Sequence, residues 1–147
     1  MSQKLVLLSV ILAFFLCGGC SQDNRPEGLP KLYPVTLTIL QDDQPLYNAL
    51  VFLHTENESD AKWTVSSVTD AEGKAIIVTH GQFRGSPAGK FKVCVRKAEV
   101  DEESRGVPKL IHYVDTKFGD PKKTPLEIEV PESKKMTTLT LNVHKPQ

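Results

Sequence analysis

The chain has 147 residues, 39% of them hydrophobic and 24% charged, with 18 lysines and arginines against 18 aspartates and glutamates. That neutral balance excludes the basic face that nucleic-acid binding needs. Once an N-terminal segment argued below is set aside, roughly 127 residues remain, one domain's worth of chain able to bury a modest core.

Lys4 precedes an apolar run from Leu5 to Leu16 that only Ser9 interrupts. A positive charge before about twelve apolar residues is a secretory signal pattern, too short for a bilayer core that takes about twenty. Cys17-Gly18-Gly19-Cys20-Ser21 follows. Small residues just before a cysteine resemble the lipobox read by lipoprotein signal peptidase. The resemblance implies cleavage before Cys20 and acyl chains, diacylglycerol and palmitate among them, on that residue. Cys17 stands where the family usually has an aliphatic side chain. The expected organisation is a signal peptide at 1–19, a lipidated Cys20 with a flexible tether at 20–32, and a domain at 33–145. The alternative is an ordinary signal peptide that releases a soluble protein. Ser21 supplies no Asp-type retention signal, so the expected address is the cell envelope, at the outer membrane or cell surface. With Cys17 removed and Cys20 acylated, Cys94 is left alone and no disulfide can form within the domain. The tether, SQDNRPEGLPK, is polar with two prolines.

From Tyr33 onward the apolar residues alternate, and no stretch has helical periodicity over twelve residues. Tyr33, Val35, Leu37 and Ile39 form the first set, ending at a turn in Gln41-Asp42-Asp43-Gln44-Pro45. Ala49, Val51 and Leu53 form the second, and residues 64–69 are polar and β-branched. Residues 69–75 turn the chain into Ile76, Ile77 and Val78. Phe91, Val93 and Val95 follow, then Leu126, Ile128 and Val130, then Leu139, Leu141 and Val143. About seven strands with one apolar and one polar face predict two antiparallel sheets packed face to face, an immunoglobulin-like β-sandwich.

Val35 to Leu53, reading VTLTILQDDQPLYNALVFL, resembles the opening of carboxypeptidase regulatory-like domains. Thr69-Asp70-Ala71-Glu72-Gly73-Lys74-Ala75 is similar to the T-D-x-x-G-x-A/F signature of that transthyretin-like (prealbumin-like) class. Pro87-Ala88-Gly89-Lys90-Phe91-Lys92-Val93 is similar to its P-x-G-x-Y/F-x-V strand entry. The run from Val114 to Leu126, with Lys117-Phe118-Gly119-Asp120-Pro121 and Thr124-Pro125-Leu126, resembles small envelope lipoproteins of planctomycete type. The resemblance covers roughly residues 33–143 and implies an all-β, transthyretin-like sandwich acting as an accessory or adhesive module. The peptidase activity of the founding enzymes belongs to a separate domain.

No catalytic constellation emerges from the residues. His54, His80, His112 and His144 lack zinc-site spacing, and the Asp70–Lys74 segment lacks the ligand pattern of a calcium loop. No metal and no cofactor are expected. Cys94 is out of phase with Phe91, Val93 and Val95, so its thiol should point off the core face, where Lys92 and Arg96 would favour the thiolate. Hydroxyisourate hydrolase shares the transthyretin-like class, but its paired histidines and C-terminal motif have no counterpart here. Arg84-Gly85-Ser86 lies mid-chain before a proline and reads as a loop.

The aromatic residues are the remaining lead: Trp63 in a polar stretch, Tyr47 beside a turn, and Tyr113 and Phe118 in the long connection at 98–124. Loops of that length often carry binding. In the competing reading, Tyr113, Val114 and Phe118 fold back to cap the sandwich. The leading expectation is a lipid-anchored, non-enzymatic module with a structural or protein-interaction role. The alternatives are a glycan-binding module using Trp63, Tyr113 and Phe118, and a hydrolase of the transthyretin-like class. Expected partners are the membrane, through the anchor, and an envelope protein or glycan.

Overall fold

The computed structural model describes residues 25–56, 61–103 and 106–147. The signal segment, Cys20 and the first part of the tether lie outside the described residues. The chain is nearly all β. β1 (Val35–Gln41) turns through Asp42 and Asp43, both at positive φ (50° and 65°), into β2 (Gln44–Pro45). A two-residue hairpin turn needs two left-handed positions to match strand twist, and aspartate tolerates them better than most side chains. β3 (Leu50–His54), β4 (Val65–Val68), β5 (Lys74–Ile76), β6 (Val78–Thr79) and β7 (Phe83–Arg84) follow. β8 (Gly89–Arg96) leads into a separate hairpin, β9 (Ala98–Asp101) and β10 (Lys109–His112). A single 3-10 turn (Thr116–Gly119), β11 (Glu127–Val130) and β12 (Thr137–Val143) complete the described chain.

One sheet has the order β12-β1-β2, with β5 also on β1; the other runs β11-β8-β3-β4-β6-β7. The chain changes sheets at Ile77. β5 pairs with β1, β6 pairs with β4, and Ile77 between them points into the core at 0% exposure. The core draws on both sheets: Val35, Leu37, Ile39 and Val143 from one, Val51, Val93, Val95 and Val130 from the other. Each of these alternates with less buried neighbours, which are polar along most of β1 and β11 but are Leu50 and Phe52 around Val51. Burying a side chain of this size stabilises by roughly 1.5–3 kcal/mol, and no cross-link is needed to hold the layers.

Three expectations are corrected. The sandwich is not wholly antiparallel: β12 runs parallel to β1, with Val35 beside Thr137 and Gln41 beside Val143. The strands are more numerous than seven, because β2, β7 and the β9–β10 hairpin are too short or too mixed to announce themselves. Within β12, Leu139 is 37% exposed, since its strand closes the sheet as an edge and nothing covers its flank.

The motif residues act as structural fasteners. Asp70 Oδ1 accepts the amides of Glu72 (3.0 Å) and Lys74 (2.8 Å). Gly73 follows at φ +72°, where a Cβ would stand 2.5 Å from the Ile39 carbonyl oxygen. Buried Thr69 donates to the Leu46 carbonyl (2.5 Å) and accepts from the Ala49 amide (2.8 Å). Buried Thr124 donates to the Val93 carbonyl at 2.8 Å, fixing the approach to β11.

These connections define two ends. At the first, the segment from Arg25 enters the fold, Tyr33 bridges Ser86, and residues 61–64 lead into β4. The second holds the Asp42–Asp43 turn, Tyr47, the Asp70–Gly73 turn, the β9–β10 hairpin, the 3-10 turn and His144. They are the tether end and the distal end below.

Candidate functional site

The long connection is more structured than its sequence suggests. In the β9–β10 hairpin, Val100 stands opposite Leu110 and Ala98 opposite His112, so these four share one face. Glu99 opposite Ile111 and Asp101 opposite Lys109 make the other face. Seven of the eight strand residues are exposed. Val100 (56%), Leu110 (55%) and Ile111 (43%) keep much of their apolar surface in water, and Val107 in the connecting loop is 86% exposed. Scattered exposed aliphatics are ordinary, but their concentration on one projecting element is not.

The base of the hairpin is pinned to the sandwich. The Tyr113 amide donates to the Lys97 carbonyl (2.9 Å), and Lys97 Nζ donates to the Tyr47 carbonyl (2.9 Å). Gln41 Nε2 donates to the Tyr113 carbonyl at 2.6 Å. The Tyr113 hydroxyl donates to Glu99 Oε2 at 2.8 Å, and Lys97 lies 5.5 Å from the ring centre. The hydrogen bond to Glu99, reinforced by its charge, holds the phenol above its ordinary value. Tyr113 itself is 37% exposed, so it stands at the hairpin's root rather than inside the sandwich.

Phe118 has a different fate. It is 2% exposed within the core cluster, together with Val114, and its ring meets His144 edge-on at 6.0 Å. Asp115 caps the 3-10 turn by accepting the Lys117 amide at 2.9 Å, and that bond, aided by the Lys117 charge, lowers the carboxyl below its ordinary value. The capping expectation therefore holds for Val114 and Phe118 and is corrected for Tyr113. Trp63 is at the opposite end, half-buried, with the His80 ring edge-on at 5.7 Å and Lys62 Nζ 5.0 Å above it. Its indole Nε1 is buried without an acceptor. The three aromatic positions read from the sequence are thus not brought together into one platform.

Cys94 points off the core face as its phase predicted, yet it is not exposed. The 3-10 turn covers β8 there, held by Arg96, whose Nε (3.0 Å) and Nη2 (2.6 Å) both donate to the Gly119 carbonyl. Burial pushes the thiol up more than Arg96 pulls it down, which corrects the thiolate expectation. A shallow hollow of about 330 Å³ beside it is lined by Phe52, Cys94, Arg96, Gly119 and Pro121 among others. A larger open depression of about 610 Å³ lies on the outer face of β3, β8 and β11. His54, Lys90, Lys92, Glu127 and Glu129 line it, and Lys92 pairs with Glu127 across the strands. Hydrogen bonding by Lys92 lowers the Glu127 carboxyl. Among the described residues no cluster of three or more His, Cys, Asp or Glu could hold a metal ion.

No family model and no curated protein sequence matches the chain. Among solved structures it is similar to BcpA, the major pilin subunit of Bacillus cereus, at 19% identity and a TM-score of 0.46 over 79% of this chain and 31% of that one. A D312A form of the same pilin gives 18% identity and a TM-score of 0.47. A 9R-lipoxygenase from Cyanothece PCC8801 is matched at 17% identity and a TM-score of 0.39 over 18% of its length. This chain spans under a third of the length of each of these structures.

Proposed function

We propose that the chain is a lipid-anchored, non-catalytic β-sandwich module of the cell envelope that engages a protein partner through its distal hairpin. The observation that carries the reading is the apolar face of β9–β10, with Val100 and Leu110 side by side and more than half exposed. The buried centre of a protein contact is more apolar than its rim, which suits Val100 and Leu110, while Glu99, Asp101 and Lys109 keep the opposite face of the hairpin polar. The fastening of the hairpin root supports the same reading, because a preorganised element loses less entropy on binding. The anchor rests on the lipobox-like Cys17-Gly18-Gly19-Cys20 and the apolar run before it.

Two measurements test the halves separately. Palmitate labelling of the expressed chain should depend on Cys20 and vanish in Cys20→Ser; label that persists, or never appears, removes the anchor. A photo-crosslinking residue at Val107 should form a discrete adduct in intact envelopes that Leu110→Asp abolishes. Adducts indifferent to Leu110→Asp would remove the hairpin from the function.

A further inference from the structure

The described chain begins at Arg25, and from there to Tyr33 it runs along the tether end. Within that run, a side chain at Gly28 would lie 3.4 Å from Lys62 Nζ, so the entering segment passes directly beside the Lys62–Trp63 corner. Arg25, Lys31 and Lys62 are all exposed there. Only five residue steps separate Arg25 from Cys20, and an extended chain covers at most about 3.6 Å per step, or roughly 18 Å. A protein anchored through Cys20 is therefore obliged to keep this corner within a short reach of the bilayer, whatever path the intervening residues take.

The chemistry of the corner suits that neighbourhood. Lys62 carries its ammonium 5.0 Å over the Trp63 ring, and Lys31 lies 5.5 Å from the Tyr33 ring centre. Tryptophan beside lysine is the pairing that settles at headgroup depth, the ring among glycerol and upper acyl segments and the cation at phosphate. The indole N–H has no acceptor within the protein, so a ring tipped outward toward a headgroup oxygen gains a hydrogen bond it otherwise lacks. The indole is also free of any bond that would oppose the movement.

We infer that the Lys62–Trp63 corner is a membrane-contacting surface that seats the tether end on anionic phospholipid headgroups. The inference rests on the anchored reading of Cys20 and adds an orientation to it: the sandwich stands on its tether end and holds the β9–β10 hairpin away from the bilayer. Several acyl chains on Cys20 already hold the protein at the surface, so what the corner contact adds is a fixed orientation there. Removal of one cation near an anionic surface weakens such seating about fivefold.

The full acylated chain provides its own probe, because Trp63 is the only tryptophan in it. It is reconstituted in vesicles of phosphatidylethanolamine and phosphatidylglycerol that carry acyl chains brominated close to the headgroup. Trp63 emission should shift to the blue and lose roughly half its intensity, as a ring at headgroup depth would. Lys62→Ala should restore most of the intensity in anionic vesicles and change nothing in purely zwitterionic ones. The mass of the N-terminal peptide, measured on the same sample, separates the two claims. Acyl chains on Cys20 with unquenched Trp63 overturn the docking and leave the anchor standing. An unmodified Cys20 overturns the anchor and the docking together.

Discussion

The two ends of this sandwich are built on different principles, although the same strands run between them. At the distal end, the connection between β8 and β11 is tied down residue by residue: Asp115 caps the 3-10 turn, Phe118 enters the core, Arg96 grips the Gly119 carbonyl and Gln41 holds the Tyr113 carbonyl. At the tether end, Trp63 rests on His80 and under Lys62 with its one polar atom unpaired. The distal end invests its aromatic ring in stability and leaves aliphatics of the hairpin outside. The tether end keeps its largest ring at the margin. A residue's size therefore says little about its task here, and its hydrogen-bond inventory says more.

The sharpest way to break the contrast is to truncate one ring at each end. Phe118→Ala removes a fully packed side chain from the distal end and should cost about 3–5 kcal/mol, seen as a large fall in Tm. Trp63→Ala should cost distinctly less, because the ring is only half-buried. Equal losses would mean that the two ends are equivalent in packing. A second cut uses the fasteners. Thr69→Val keeps the shape but strips the Leu46 carbonyl and Ala49 amide of their buried partner, for roughly 1–3 kcal/mol.

Much of this was legible in the sequence and some was not, for identifiable reasons. The apolar sets in β1, β3, β8 and β11 are read directly, since alternation is imposed by the pleat. Asp70 and Gly73 are equally plain, because their turn chemistry is local. The parallel pairing of β1 with β12 is not, because period 2 reports which face is buried and carries nothing about the neighbour or its direction. The hairpin escapes for the opposite reason. Its strands bury almost nothing, so Ala98–Asp101 and Lys109–His112 show no hydrophobic phase. Phe118 is a lone ring in polar sequence, and its burial depends on a cover segment meeting β8 from far along the chain. The same cover explains Cys94, where phase gave the correct direction of the thiol and the wrong surroundings.

Cys94 makes that cover measurable. Its thiol should react slowly with an aromatic disulfide reagent at neutral pH, since burial both hides it and disfavours the thiolate. Asp115→Ala, which removes the cap of the 3-10 turn, should accelerate the reaction severalfold while leaving Trp63 emission unchanged. Acid should act similarly. The Asp115 carboxyl is held below its ordinary value in the fold, so its stabilising contribution is complete above the unfolded value and is lost as pH falls through the lowered one. Hydrogen exchange of the Phe118 and Asp120 amides, followed down from pH 5 and corrected for its intrinsic pH dependence, should therefore report the distal end loosening, and Asp115→Asn, still a good cap, should flatten that dependence. An acid response unchanged in Asp115→Asn would assign the sensitivity to another carboxylate, with the lowered Glu127 of the Lys92 pair the next to substitute.

The smallest expected effect is also the most informative. Leu110→Asp and Val100→Asp place charges on an apolar surface that the sandwich does not use, so each should move stability by no more than about 0.5 kcal/mol. Such a result by itself is what any neutral surface position would give. It acquires meaning beside Phe118→Ala, a few residues further along the same connection, where the loss is several times larger. Aliphatics that can change without cost to the fold, in a hairpin whose root is fastened by Lys97, Gln41 and Tyr113, are left available to a partner, as the proposed function requires. If Leu110→Asp instead lowers Tm as much as a core truncation, the hairpin is packed on the sandwich in solution. Its apolar face then belongs to the domain's own interior, and the division between the two ends disappears with it.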